Sequence, residues 1–260
     1  MTEALLLALD PAREAGWSLF LVFLRVGALM SLLPAFGETV VPVRVRLGLG
    51  LAFTLIVWPA LAPGLPAPPE ALPGYLAIVA SEAITGLFFG LLLRLFVIAL
   101  QVAGTIAAQS TSLSQIFGGT AGADPLPAMG HVLLVGGLAL AVILGLHVRI
   151  AEFIIQTYTL VPIGRVPAPS DVAEAGLAEV ARSFAFAFSL AAPFLVASLL
   201  YNVTLGVINR AMPQLMVAFV GAPAITAGGL LILFLTAPVA LSLWGEALFA
   251  FMADPFGGPR

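Results

Sequence analysis

Residues 75–100 read YLAIVASEAITGLFFGLLLRLFVIAL. Only Glu82 and Arg94 carry charge in this run, and polar and apolar side chains show no strand-like alternation. A helix needs about 17–25 apolar residues to cross a hydrocarbon core, so this stretch is generous for one crossing. Five further apolar segments lie at roughly 17–33, 47–62, 131–147, 184–201 and 217–243, of which 47–62 is short. Turn-rich breaks separate them: Pro34–Pro42, Pro63–Pro73, the expected loop Gln101–Gly130, and Val148–Ser183. Within the last break, Ile150–Tyr158 reads as an amphipathic helical piece stopped by Pro162 and Gly164. The expected fold is an all-α integral membrane protein with about six apolar helical segments.

Composition excludes most alternatives. Of 260 residues, 61% are apolar and 9% charged, against about 25% charged in ordinary soluble domains. So few charges cannot coat a soluble globule of this size, which removes a soluble enzyme and a disordered chain. All 10 basic residues are arginines, scattered at net charge −3, so no nucleic-acid-binding stripe exists. The absence of Cys removes disulfides and thiolate metal ligands. Residues 1–16 carry Glu3, Asp10 and Glu14 against Arg13 and lack a basic leader, so a retained anchor is expected rather than a cleaved signal. The short apolar run Leu5–Leu9 is compatible with an interfacial piece or a frayed end. With six crossings and the N-terminus inside, Arg13, Arg149, Arg165, Arg182 and Arg260 lie inside, against Arg44, Arg46 and Arg210 outside. The bias favours N-in, C-in.

Several residues fit poorly with lipid-facing helices. Arg25, Glu82 and Arg94 are expected buried charges, each costing about 2.5–3.5 kcal/mol at a helix centre. Glu82 and Arg94 are twelve residues apart, which is about 18 Å along a helix and about 120° around it, too far to pair. Arg25 with Glu82, across two helices, is the expected pair, and its alternatives are snorkelling or a transport role. Pro59, Pro193, Pro223 and Pro238 interrupt apolar segments, which requires protein or cavity around the freed backbone groups. Gly86-x-x-x-Gly90, Gly48/Gly50 and Gly228/Gly229 permit close helix approach. The polar, glycine-hinged stretch 101–130 is either a re-entrant element lining a pore or an exposed connector.

Catalytic motifs are missing from the sequence. Gly118–Gly122 cannot serve as a phosphate loop without Lys. His131 and His147 lack zinc-helix spacing. No serine elbow and no paired intramembrane aspartates occur. We therefore expect no enzyme, cofactor or metal.

Three stretches carry a family resemblance: Leu24–Gly50 (LRVGALMSLLPAFGETVVPVRVRLGLG), Thr157–Gly164 (TYTLVPIG) and Ile208–Gly221 (INRAMPQLMVAFVG). Together they resemble the FliR/SctT family of type III secretion export-gate subunits, over nearly the whole chain. The resemblance implies bent, interrupted hairpins packed into a hetero-oligomeric export gate, one FliR-type membrane domain with two helical-hairpin parts at about 1–120 and 121–260, and a subunit that looks like a FliP-like part joined to a FliQ-like part. Implied partners are FliP and FliQ in one cone-shaped pore, FlhB at the cytoplasmic entrance, FlhA, and unfolded export substrates in transit. The implied location is the bacterial inner membrane, within the flagellar basal body. The implied role is pore wall and plug, with transport driven by the proton gradient.

The family's plug maps onto about Ile106–Gly122, here Gln109, Ser112, Leu113, Ile116, Phe117, Gly118, Gly119 and Gly122. Ile116 and Phe117 are the sealing candidates, because a dry constriction closes a pore. The sequence departs from the family pattern at Ser110–Ser112, where relatives usually carry Gly after the glutamine. Arg25, Pro34, Pro42, Arg44 and Arg46 are implied to be architectural. Asn209, Arg210, Pro213 and Gln214 are implied to be interface or hairpin-turn residues. Two rivals are an SctT-type injectisome subunit and a small-solute transporter using Arg25, Glu82 and Arg94. Neighbouring genes separate the first, and transport by a purified monomer the second.

Overall fold

A computed structural model describes residues 2–111, 128–212 and 217–257, with side chains described from residue 13 in the first helix and from residue 223 in the last. Among the described residues seven α-helices follow in order: α1 (Thr2–Met30), α2 (Val43–Leu61), α3 (Leu72–Ser110), α4 (Ala128–Ile143), α5 (Leu146–Leu160), α6 (Pro169–Ala211) and α7 (Val217–Ala253). A 3-10 turn, Ala62–Gly64, extends α2. No strand occurs among the described residues. The protein is all-α, and Val43–Gly64, Leu72–Ser110, Pro169–Ala211 and Pro223–Ala253 are each long and apolar enough to cross a membrane. The pair α4 and α5 also qualifies when taken together, with a bend of 78° between them.

Several boundaries differ from the hydropathy reading, each for a physical reason. Residues 101–110 are not loop: α3 runs on through them. Their hydroxyls bond back to the preceding turn, Thr105 Oγ1 to the Gln101 carbonyl (2.8 Å) and Ser110 Oγ to Ile106 (2.7 Å). A polar side chain satisfied in this way lowers hydropathy without ending the helix. Likewise α6 begins at Pro169, well before the apolar run, because Asp171, Glu174, Glu179 and Arg182 interrupt hydropathy but not helical hydrogen bonding. The segment 131–147 is broken at Gly145, whose φ of +89° is a left-handed conformation that glycine adopts without steric cost. Helices α2, α6 and α7 continue through Pro59, Pro193, Pro223 and Pro238, so the sharp break falls at a glycine and not at a proline.

The chain packs as two compact units. The first comprises Met1–Arg94, Leu144–Leu177 and Phe249–Arg260. Its core joins Val22, Val26 and Leu29 of α1 to Phe89 of α3 and Phe153 of α5, all buried. The Phe89 and Phe153 rings meet edge-on at 5.7 Å, a favoured aromatic geometry. The second comprises Leu95–Ile143 and Ala178–Leu248. Its core gathers Ala107, Ala108, Met129 and Phe194, with Ile232 and Leu233 packed against them. The Trp244 indole N–H donates to the Phe96 carbonyl (2.8 Å), which satisfies the polar atom of a fully buried ring.

Candidate functional site

In the first unit, a buried charge cluster ties three helices. Arg25 on α1 and Glu82 on α3 are both fully buried. Arg25 Nε donates to Glu82 Oε2 (2.8 Å) and Nη2 donates to Oε1 (3.1 Å), a two-pronged fit of planar guanidinium to carboxylate. Nη1 donates to the main-chain carbonyls of Thr157 (3.0 Å) and Val161 (2.9 Å). These carbonyls close the C-terminal end of α5, where unsatisfied C=O groups and the helix dipole favour a cation. Glu82 Oε1 also accepts from the Gly164 N–H (3.1 Å). The guanidinium carbon lies 3.8 Å from the centroid of the Tyr158 ring, a cation–π arrangement.

Local sequence explains how two charges reach this position. Glu82, Gly86 and Gly90 lie four residues apart and therefore share one face of α3. A Cβ on Gly86 would collide with the Arg25 carbonyl and come within 2.8 Å of the Ala28 Cβ. One on Gly90 would lie 3.1 Å from the Leu29 carbonyl oxygen. The two glycines thus let the α1 backbone lie directly on α3, and that contact brings Arg25 within reach of the carboxylate one turn earlier. Gly164 adopts φ +74°, so its N–H turns toward Glu82 in a conformation most residues resist. The motif TYTLVPIG accordingly supplies two carbonyls, a ring face and an N–H to one ion pair. Four of the five guanidinium N–H groups are engaged, which makes the cluster a tie between elements rather than a site with an open position.

Arg94 is placed differently from Arg25. It is part-exposed, at 24%, and its Nη1 donates to Glu38 Oε1 (2.6 Å) in the turn between α1 and α2. That turn carries Ala35 at φ +66°, a non-glycine residue in the left-handed region, next to the buried Pro34. Hydropathy cannot reveal the Glu38 partner, since Glu38 lies in a polar break where a carboxylate attracts no notice.

In the second unit, the chain leaves α3 and re-enters α4 at neighbouring points. The Thr111 hydroxyl donates to the Ala107 carbonyl (3.0 Å) and approaches the Met129 sulfur at 3.8 Å. Gly104 faces the Gly130 backbone so closely that no Cβ fits. A Cβ on Gly229 of α7 would meet the Thr111 side chain at 2.5 Å. Thr111 and Met129, which flank residues 112–127 in the sequence, therefore sit on one small, tightly packed frame.

The remaining expected residues fall as follows. Ser112, Leu113, Ile116, Phe117, Gly118, Gly119 and Gly122 lie outside the described residues, as do Pro213 and Gln214. Gln109 is exposed in the last turn of α3. Asn209 and Arg210 are exposed in the last turn of α6 rather than in a turn between helices, and the Arg210 cation suits that helix end. Pro42 opens α2, accepting from the N–H groups of Val45 (2.9 Å) and Arg46 (3.1 Å). Arg44 is exposed and Arg46 half-buried. Of the other glycines expected to allow close approach, Gly48 and Gly228 meet nothing within 4 Å, whereas Gly229 does.

Comparison with known proteins then gives one consistent result. The model of the family described as bacterial export proteins, family 1, matches residues 17–251. The flagellar biosynthetic protein FliR of Caulobacter vibrioides is 34% identical over 229 residues, covering 88% of this chain and 89% of the relative. FliR of Escherichia coli is 28% identical over 242 residues, covering 90% and 91%. FliR of Aquifex aeolicus is 28% identical over 230 residues, covering 85% and 86%.

Proposed function

The chain belongs to family 1 of the bacterial export proteins and is a membrane-embedded subunit of flagellar type III protein export, and from that premise we propose that it forms part of the wall and plug of the export pore. Its partners in one pore complex are FliP and FliQ, with FlhB at the cytoplasmic entrance, FlhA, and unfolded flagellar proteins in transit. The membrane is the bacterial inner membrane, at the flagellar basal body. The chain is a FliP-like part joined to a FliQ-like part, and its two helical-hairpin parts at about 1–120 and 121–260 are a division distinct from the two packing units. This subunit performs no chemistry in transport; it contributes surface and closure.

One observation carries the plug assignment. Thr111 and Met129, which flank the stretch 112–127 in the sequence, are in contact. The sequence between them supplies the apolar Ile116 and Phe117 to dewet a constriction and glycines to let the chain flex. The fixed roles follow from packing. Arg25 and Glu82 hold α1, α3 and α5 together, while Pro42 starts α2. The virulence counterpart is not favoured, because the relatives matched are flagellar proteins.

The test is electrical. Complexes reconstituted with FliP and FliQ, carrying Ile116→Ala with Phe117→Ala or lacking residues 118–122, are expected to leak ions at rest where the parent is closed. Unchanged resting conductance in both variants contradicts the plug assignment.

A further inference from the structure

We propose that Arg44 and Arg46, at the head of α2, bind phosphates of anionic phospholipids, each on its own side of the helix, and anchor this helix at one face of the bilayer. Val43–Gly64 has 22 residues, whereas the other three single helices long and apolar enough to cross have 39, 43 and 31. A crossing takes about 17–25 residues, so α2 with its 3-10 turn is the one of these four matched to a bilayer core. Only 22% of its apolar window is buried by the rest of the chain. Val45, Leu47, Leu51, Leu55 and Ile56 are exposed along its length. Toward its far end Trp58 donates to Ser18 Oγ (2.9 Å), and Trp17 meets Tyr75 edge-on at 4.9 Å. Half-buried indole and phenol rings of this kind concentrate at membrane–water boundaries.

The opposite end of α2 concentrates uncompensated positive charge. Arg44 and Arg46 are two residues apart, so about 3 Å separates them along the axis and about 200° around it, and their heads reach one depth on different sides of the helix. Neither forms an ion pair among the described residues. Arg46 Nε is buried without an acceptor. The first turn of α2 holds no acidic residue and no side-chain cap, so no side chain there answers the positive end of the helix dipole. A guanidinium group on each side of the helix, with an apolar face running away from them, suits headgroup phosphates joined to acyl chains. A carboxylate on a partner subunit is the competing acceptor. The bilayer-matched length of α2 favours the lipid, because a membrane supplies phosphate at that depth wherever the helix meets it.

The proposal rests on the membrane-embedded reading and not on the wall or plug roles. The test uses the full chain purified with FliP and FliQ. It is incubated with vesicles of phosphatidylcholine and phosphatidylglycerol in equal amounts, re-extracted, and its retained lipids are counted by mass spectrometry. The parent is expected to enrich phosphatidylglycerol, and Arg44→Gln with Arg46→Gln to lose about five-fold of that preference per arginine removed. Arg44→Lys with Arg46→Lys is expected to keep most of it, since surface charge attracts the headgroup. The single Arg44→Gln, at an exposed position, reads the effect if the double variant does not fold. Unchanged phosphatidylglycerol retention in the glutamine variants overturns the proposal. So does loss of FliP and FliQ from those variants with lipid retention intact, which assigns the arginines to a partner's carboxylate. The parent's own co-purification with FliP and FliQ is read in the same preparation, so failure of the export-gate reading is seen separately.

Discussion

Arg25 and Glu82 show why a pair of opposite charges persists in an apolar interior. Each alone is costly there, and breaking a buried pair by removing one partner typically costs about 3–5 kcal/mol. Glu82→Gln is therefore expected to destabilise the protein by about that amount, read as a lower thermal transition of the purified complex. Replacing both residues by apolar ones is often near neutral for an isolated pair. In this protein the double replacement Arg25→Met with Glu82→Leu is expected to remain destabilising by about 1–3 kcal/mol, because Val161 O and Gly164 N–H lose their partners. A double variant as stable as the parent contradicts the assigned main-chain contacts. The charges themselves were legible in the sequence, since a lone Arg and a lone Glu in apolar runs demand a partner. Their main-chain acceptors were not, because every residue carries a carbonyl and only the fold selects Thr157 and Val161.

At the scale of elements, glycine decides where helices touch and where they break. Gly86→Ala sets a Cβ against the Arg25 carbonyl of α1. It is expected to cost about 1–3 kcal/mol by overpacking, and more than the same change at Gly48, which meets nothing nearby. Matched thermal melts of the two variants check this ranking. The frame around 112–127 has its own test, made clean by the absence of native cysteine. Thr111→Cys with Met129→Cys is expected to cross-link under mild oxidation, and adding Gly104→Val is expected to reduce the yield by separating α3 from α4. Absence of any cross-link contradicts the contact between Thr111 and Met129. Hydropathy located every apolar helix here but misplaced ends. It reports affinity for lipid, and the end of α3 and the start of α6 are helical stretches in which several polar residues are satisfied within the helix or in ion pairs. Thr105 and Ser110 illustrate the first case, and Glu179 with Arg182 (2.7 Å) the second.

At the scale of the whole molecule, much of the apolar surface of α6 and α7 is left open within the chain. Only 28% of the apolar window of α6 and 11% of that of α7 are buried within the chain, while Phe188, Leu199 and Phe234 are exposed. An α-helix of 43 residues extends for about 65 Å, roughly twice the hydrocarbon thickness, so lipid alone does not cover its length without steep tilt. Exposed apolar faces of this kind mark interaction surfaces. Composition signalled such a protein from the outset, but only family membership connects the uncovered faces to an export complex. The account is tested most directly by co-purification of a tagged chain expressed with FliP and FliQ, followed by imaging of the product. The predicted result is one stable complex holding all three proteins, with α6 and α7 covered by neighbours. A tagged chain recovered as an independent monomer, with FliP and FliQ assembling without it, would contradict the proposal that it forms part of the pore.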